Sequence, residues 1–346
     1  MQMTHKIRNI SVLIAVGVAL LTLTAYMPHA LQTGGAQDDD VYRIVGSPTD
    51  SADVSRHAAI MQHYNAKDIP TGNYSGIAYI GGNRYALVSD KAQKGGYHIV
   101  QIDIDDEGQI TDVEYCGFRE LEETNQDEEA VAYNRENHSI YIGKEGTSEI
   151  TRYDILSGEK TANVLVDEYK TLGEFNRTIE SLAYDPASLT LYTINEAPLK
   201  GDNGLMLRLM AFTPNLSLKA KYTYILDKPI DDSPLVDDNH IFGVAELTAL
   251  GDGTLLVLER EFRMVGVGIG SWVMNKIFRI RPGEAGKQFV TGWRTHLNVS
   301  DFGFGNYEGM CLGPRLNNGK QVIILCADSQ DRYMKVLRDW FMTVVI

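Results

Sequence analysis

Short apolar runs, rich in β-branched and aromatic residues, alternate along most of the chain with turns of glycine, asparagine and aspartate. Residues 85–88, 255–258 and 322–325 are almost continuously apolar, which is typical of strands buried on both faces. The turns between strands, such as residues 81–83 (Gly-Gly-Asn), have the composition that β-hairpins require. Helical periodicity is sparse. The pattern therefore predicts an all-β fold.

One signature occurs five times; each copy opens on a polar residue, usually glutamate, and closes on an acid. The openings are 54, 51, 66 and 62 residues apart, which suits a unit of four short strands. We therefore predict a single β-propeller of four-stranded blades. Five blades are favoured, and a sixth would have to use residues 47–68 or the insert at 227–242. The copies run from Ser75 to Asp90, Glu129 to Glu145, Glu180 to Glu196, Glu246 to Glu259 and Glu308 to Asp328.

The two ends of the repeat region indicate how the ring closes. Residues 41–45 form an isolated predicted strand before the first copy, and the last copy ends near the C-terminus after a predicted third strand at residues 334–340. We expect one end to complete the blade of the other, because closure removes exposed sheet edges. Residues 54–64 are predicted to form a short helix.

The N-terminal residues 1–36 have the layout of an export segment followed by a linker. Lys6 and Arg8 precede the uncharged apolar run of residues 10–26, and a polar stretch follows. The run is slightly long for a cleaved signal peptide and slightly short for a transmembrane helix, so both a signal peptide and a retained anchor stay open. We expect an exported protein, periplasmic, extracellular or membrane-anchored, whose propeller domain occupies residues 41–346.

The net charge and the cysteine content limit the ligands and cross-links that the protein is expected to have. The chain has 32 Lys and Arg against 46 Asp and Glu, a formal charge of −14, which argues against nucleic-acid binding and favours cations. Its three cysteines give neither a disulfide framework nor a zinc motif. Cys311 and Cys326 are predicted either to pair or to be unpaired core thiols, and Cys116 stands apart.

Residues at the same place in every propeller blade form a ring around the central channel. Two carboxylates about 5 Å apart repel by about 3 kcal/mol at an effective dielectric near 20. Converging acids must therefore be protonated, paired with basic groups or neutralised by a metal. Oxygen ligands suit a hard cation, and flexible carboxylate geometry suits calcium. The predicted metal ring consists of Glu129, Glu180, Glu246 and Glu308, with Ser75 in the fifth place.

A second acidic set closes the five copies, and we expect it toward the opposite end of the blades or at their rim. An alternative without a ligand also stays open: each ring glutamate would accept hydrogen bonds from a neighbouring blade and thereby join the blades. The second set consists of Asp90, Glu145, Glu196, Glu259 and Asp328.

At these motifs the sequence resembles the bacterial β-propeller family called esterase-like activity of phytase. The resemblance implies hydrolysis of phosphoric or carboxylic esters, and β-propeller phytases use several calcium ions to neutralise substrate phosphates and activate water. The chain is also similar to five-bladed, membrane-anchored bacterial propellers that bind calcium and have no assigned activity. The matching segments are residues 74–78, 88–90, 127–132, 179–183, 195–199, 257–261 and 306–310.

Two functions are weighed from these observations. The first is a calcium-dependent (phospho)ester hydrolase, monomeric and acting on a small-molecule ester or phosphate. The second is a non-catalytic, calcium-stabilised propeller that binds a glycan, peptide or protein partner. No P-loop, nucleophile elbow or zinc-protease motif offers another chemistry. The candidate catalytic residues are Glu180, Glu308, Arg260 and Lys144.

Overall fold

The computed structural model describes residues 43–45, 58–174, 176–230, 239–265, 268–298 and 303–346. Its strands form five sheets whose sequence neighbours pair antiparallel, so the predicted five-bladed propeller is confirmed. The strands of the first four blades are β4 (Tyr74–Gly81), β5 (Arg84–Ser89), β6 (Gly95–Ile104) and β7 (Ile110–Glu122); β8 (Glu128–Asn134), β9 (Ser139–Lys144), β10 (Glu149–Asp154) and β11 (Lys160–Leu165); β12 (Ala183–Asp185), β13 (Thr190–Ile194), β14 (Met206–Phe212) and β15 (Leu218–Ile225); and β16 (His240–Ala249), β17 (Leu255–Arg263), β18 (Trp272–Ile280) and β19 (Gln288–His296).

The fifth blade combines both ends of the repeat region. Its strands β20 (Asn306–Arg315), β21 (Gln321–Asp328) and β22 (Trp340–Val345) come from the last copy, and β2 (Ala59–Ile60) and β3 (Tyr64–Asn65) both pair with β22 on its outer side. Ring closure by the N-terminal part of the chain is therefore confirmed. The predicted segments were wrong in detail, because residues 58–64 contain no helix and the third strand of this blade begins only at Trp340.

The isolated strand before the first copy does not close the ring. Strand β1 (Arg43–Val45) pairs in parallel with β15, with Arg43 opposite Tyr222, and so adds a fifth strand to blade three. Our expectation that it completes the last blade was wrong. The predicted export segment, residues 1–36, lies outside the described residues. Among the residues that are described, no helix is long and apolar enough to cross a membrane.

An arginine fastens the N-terminal strands to the last blade. The Arg332 guanidinium donates to the backbone carbonyls of Ala66 and Ile69, each at 3.0 Å. The same group forms an ion pair with Asp339, whose side chain is fully buried and also accepts a hydrogen bond from Ser329. One side chain thus connects the segment before the first blade to the loop that precedes β22.

The inner strands β4, β8, β12, β16 and β20 contact one another in a closed cycle around the channel. Between the blades the apolar faces pack together; Tyr74, Leu87, Ile324 and Phe341, for example, are fully buried between blades one and five. In the loops that the structure describes, the regular elements are the helix α1 (Asp167–Leu172) between blades two and three and a 3-10 turn (Tyr333–Lys335) in blade five.

Two of the three cysteines lie in this core as unpaired thiols. Cys311 lies opposite Ile324, and Cys326 lies opposite Gly309, so the two do not face each other across β20 and β21. Both are buried and free, whereas the free thiol of Cys116 is exposed. The reading of Cys311 and Cys326 as core thiols, rather than as a disulfide, is confirmed.

Candidate metal centre at one end of the channel

A β-bulge near the start of the inner strand places the first acidic set. In blade two, Glu128 lies opposite Lys144 and Ala130 opposite Gly143, which leaves Glu129 as the extra residue. Ser75 and Glu308 are the extra residues in blades one and five, and Glu180 follows the equivalent bridge of blade three. A bulge changes the direction of the side chain of its extra residue. Because the four residues lie at the same point of the hairpin, these four predicted ring positions are structurally equivalent.

Blade four departs from the prediction by one residue. Its bulge lies between Val244 and Glu246, so the ring position belongs to Ala245, and Glu246 lies opposite Leu258 in the regular ladder. The Glu246 side chain is fully buried. Its Oε1 accepts a hydrogen bond from the backbone N–H of Leu247 at 2.9 Å, its Oε2 has no hydrogen-bond partner, and burial raises the pKa of the carboxyl well above its usual range. Glu246 therefore lies in the buried ladder, outside the ring.

The second acidic set lies at the same end of the blades as the first, so the expectation of the opposite end was wrong. In an antiparallel hairpin, the residue that ends the second strand comes back beside the start of the first. The backbone N–H of Glu145 donates to the carbonyl of Asp127 at 2.8 Å, and that of Glu196 donates to Thr178 at 3.1 Å. Asp90 and Asp328 occupy the same place in blades one and five.

In blade four the equivalent place belongs to a base. Val244 lies opposite Glu259, so the residue that follows, Arg260, takes the position of the acids. Spacing was a partial signal in the sequence. The two positions are 15 residues apart in blade one, 16 in blades two and three, 15 from Ala245 to Arg260 and 20 in blade five, so the 13 residues from Glu246 to Glu259 are the shortest separation.

Three carboxylates converge closely on the side of blades one and two. One oxygen from each of Asp90, Asp127 and Glu129 lies within 4.8 Å of the others, the single such group of three within the described part of the chain. The Asp90 side chain is nine-tenths buried, and its Oδ1 atom accepts no hydrogen bond. Asp127 adopts a left-handed backbone conformation with φ of 64°. The Asn125 side chain holds this turn by accepting from the N–H of Asp127 at 2.7 Å.

Asp127 was not among the predicted ligands. It precedes β8 and therefore has no counterpart in a repeat aligned on inner strands. The acidic run Asp127-Glu128-Glu129 was nevertheless visible within a segment that matches the phytase-like family.

Burial and mutual repulsion disfavour ionisation of these acids. Burial raises the pKa of Glu129 well above its usual range, and the carboxylates of Asp90 and Glu145 raise it further. The pKa of Glu145 is raised by burial and then by Glu196, and that of Glu180 by burial and then by Glu196. Glu145 accepts from the backbone N–H of Thr178 through Oε1, while its buried Oε2 has no partner. Such a site gains stability from added protons or cations.

Basic groups compensate part of this charge. Arg260 donates to Glu196 at 3.0 Å and also contacts Glu308, and Arg177 donates to Glu196 at 3.1 Å. The Lys91 ammonium contacts Asp90, and the Lys91 side chain as a whole is 67% exposed. These three bases face eight acids around the channel end: Asp90, Asp127, Glu129, Glu145, Glu180, Glu196, Glu308 and Asp328.

Two predicted site residues lie between blades instead. Lys144 is buried and binds Glu122 at 2.7 Å and the Tyr153 hydroxyl at 3.1 Å. Glu259 accepts from Tyr224 at 2.6 Å and from Lys287 at 2.5 Å. The Lys144–Glu122 and Tyr224–Glu259 contacts connect the outer strand of one blade to the second strand of the next, whereas Tyr153 and Lys287 belong to the same blade as their partners. Lys144 and Glu259 therefore have structural partners away from the channel end.

Comparison with known proteins gives one family and a distant set of structures. The family model described as "Phytase-like: Esterase-like activity of phytase" matches residues 69–330. No curated protein matches the sequence.

Among solved structures, glutaminyl cyclase of Myxococcus xanthus has a TM-score of 0.42 and 13% identity, over 85% of this chain and 99% of that one. Hydrazine synthase of Kuenenia stuttgartiensis has a TM-score of 0.36 and 9% identity, over 80% and 88%. A protein of unknown function from Bacteroides caccae has a TM-score of 0.35 and 10% identity, over 71% and 68%.

Proposed function

The chain belongs to the phytase-like family of β-propellers, and from that premise we propose that it is an exported, calcium-dependent ester hydrolase. The proposed substrate is a small molecule with a phosphate or carboxylic ester. The proposed metal ligands are Asp90, Asp127 and Glu129. Export rests on the apolar run at residues 10–26, and the protein would act as a monomer, in the periplasm, outside the cell or anchored by that segment.

The observation that carries the proposal is the convergence of three carboxylates from two blades, within 4.8 Å of one another. All the donors are hard oxygens, which suits calcium or magnesium, and adaptable carboxylates at the end of β5 and the start of β8 suit calcium better. The unpartnered Oδ1 of Asp90 fits a ligand position, because a buried carboxylate oxygen without a hydrogen bond is costly unless a cation compensates it. The residues present therefore fit the ion.

The surrounding charges explain why the ion is needed for an anionic ester. Eight acids against three bases would repel a phosphate group from this end of the channel. Bound calcium supplies positive charge and Lewis acidity there. Lys91, exposed at the mouth, and Arg177, 24% exposed, are placed to donate hydrogen bonds to substrate oxygens.

Proton transfer falls to the glutamates around the ligands. Glu145 is the best placed, because its buried Oε2 has no hydrogen-bond partner and burial raises its pKa. Burial thus favours the protonated form of that carboxyl, which is the form that a general acid needs. Glu180 and Glu308 stay candidates at equivalent ring positions, whereas Lys144, buried between blades one and two, has no part in the proposed reaction.

Hydrolysis of p-nitrophenyl phosphate, p-nitrophenyl acetate and phytate, with calcium or with EGTA, tests the proposal. We expect turnover that requires calcium and is lost in Asp127→Asn and Glu129→Gln. The control Glu159→Gln, an exposed acid elsewhere on blade two, should keep full activity. Equal turnover in calcium and in EGTA, or in both site variants, would refute the proposed metal dependence.

One observation favours the second function, a non-catalytic propeller. The proposed ligands come from two blades, Asp90 from blade one and Asp127 with Glu129 from blade two, so an ion among them would tie the blades together. In that case calcium raises the melting temperature and Asp127→Asn abolishes the rise, while none of the esters is cleaved. The exposed face would then serve a glycan, peptide or protein partner.

A further inference from the structure

Blade four breaks the acidic pattern at both of its channel positions. Ala245 replaces the ring acid and therefore offers no ligand oxygen, and Arg260 replaces the acid that ends the second strand. The Arg260 side chain is only 11% exposed, so its charge is held inside the acidic cluster. A buried guanidinium at this place needs acidic partners, because an unpaired buried charge is strongly unfavourable.

The contacts of Arg260 compensate the acids of blades three and five. Its Nη2 atom donates to Oε1 of Glu196 at 3.0 Å, and its Nη1 atom donates to Oδ1 of Asn306 at 3.1 Å and also to Oε1 of Glu308. Asn306 in turn donates to the same oxygen of Glu308 at 2.8 Å. Arg177 adds a second donor to Glu196. These carboxylates have the partners that a metal would otherwise provide.

The side of blades one and two differs. The base beside Asp90 there is Lys91, whose side chain is 67% exposed and whose ammonium contacts only the Oδ2 atom of Asp90. Two buried oxygens on this side, Oδ1 of Asp90 and Oε2 of Glu145, accept no hydrogen bond. The close group of three carboxylates also lies on this side. Among the channel acids, the buried oxygens that lack donors therefore lie on the side away from Arg260.

We infer that Arg260 is a built-in counter-ion that takes the place of a second metal ion and confines divalent-cation binding to the Asp90, Asp127 and Glu129 side. The inference rests on the proposed function only in assuming that this side binds calcium. Arg260 is thus a specificity-determining residue for the number and position of the ions. Removing its charge leaves Glu196 and Glu308 without the guanidinium that they share. Glu180, whose carboxylate the Arg260 charge also stabilises, supplies a third oxygen donor for a second ion.

Isothermal titration with calcium measures the number of ions directly. We expect one ion for the unmodified protein and for Arg260→Lys, which keeps the charge, and two for Arg260→Gln. In the double variant Arg260→Gln/Glu308→Gln the number should return to one, because a freed carboxylate is removed. A purely structural role for Arg260 would change the melting temperature of the variants but not the number of ions.

The outcomes separate the inference from the proposed function. One ion in both the unmodified protein and Arg260→Gln overturns the inference and leaves the proposed site intact, whereas no binding by the unmodified protein overturns both. If Arg260→Gln does not fold, Glu308→Gln in the presence of Arg260 decides the question. That variant should still bind one ion with affinity within a few fold of the unmodified protein, and loss of binding would refute the confinement of the ion to blades one and two.

Discussion

The Glu128→Gln substitution should stabilise the protein at alkaline pH and have little effect at acidic pH. Glu128 is fully buried. Its Oε2 accepts from the backbone N–H of Gly96 at 2.8 Å, while its Oε1 has no hydrogen-bond partner. Burial raises the pKa of this carboxyl from 4.5 to about 7, against the opposing effects of the Gly96 hydrogen bond and the Lys144 charge.

The sign and size of the effect follow from proton linkage. The folded state binds the Glu128 proton more tightly than the unfolded state, so stability is fully present below pH 4.5 and is lost as the pH rises through 7. Each pH unit between the two pKa values costs about 1.4 kcal/mol, so the loss by pH 8 is about 3 kcal/mol. Glutamine cannot ionise and therefore avoids this loss. The difference in the free energy of unfolding between variant and unmodified protein should thus grow by about 3 kcal/mol from pH 4.5 to pH 8.

Urea denaturation of both proteins at several pH values, in EDTA, measures this difference without interference from bound cations. Contributions of the other acids cancel, because they are the same in both proteins. As a control, Glu159→Gln on the exposed surface should give a difference independent of pH. A Glu128→Gln difference that stays constant within about 0.5 kcal/mol would refute the assignment of Glu128 as a buried acid with a raised pKa.

Two further substitutions test how the blades are held together. Lys144→Met leaves Glu122 without its partner at 2.7 Å and should lower the free energy of unfolding by about 3–5 kcal/mol in urea denaturation, with most of the loss recovered in Lys144→Met/Glu122→Leu. Arg332→Lys removes the planar donor group that bonds Asp339 and the carbonyl of Ala66, and should cost about 2–4 kcal/mol. Loss of less than about 1 kcal/mol in either single variant would contradict the role given to that residue.

The repeat made the fold predictable, because five similar units each bury the same strands and constrain one another. The register within a unit was less secure, as blade four illustrates. Glu246 follows the ring position, Ala245, by one residue, and Glu259 precedes the second channel position, Arg260, by one residue. Because both are glutamates, a comparison of residue types aligned them with the acids of the other blades, and the bulge at Ala245 shows that this alignment is wrong. A one-residue slip moves a side chain from the channel to the space between blades.

Other errors have equally local causes. The position of the second acidic set followed from hairpin geometry, which returns Glu145 to the start of β8, and was available from the sequence. Strands β2 and β3 are two residues long, which is too short to show an alternating pattern. They are strands only because they pair with β22. Asp127 depends on a turn held by Asn125, which inner-strand repeats do not describe.

Two adjacent positions on the second strand of a blade have different roles: the charged residue at the first position binds a partner between the blades, and the one at the second position lies at the channel end. In blade two, Lys144 binds Glu122, and the next residue, Glu145, lies at the channel end. In blade four, Glu259 binds Lys287, and the next residue, Arg260, lies at the channel end. The signs are reversed at both positions. The interblade position tolerates either sign because a partner of opposite charge is buried beside it. The channel position shares a common cluster, so a change of sign there changes the charge of the whole site, and substitutions at the two positions should affect stability and cation binding separately.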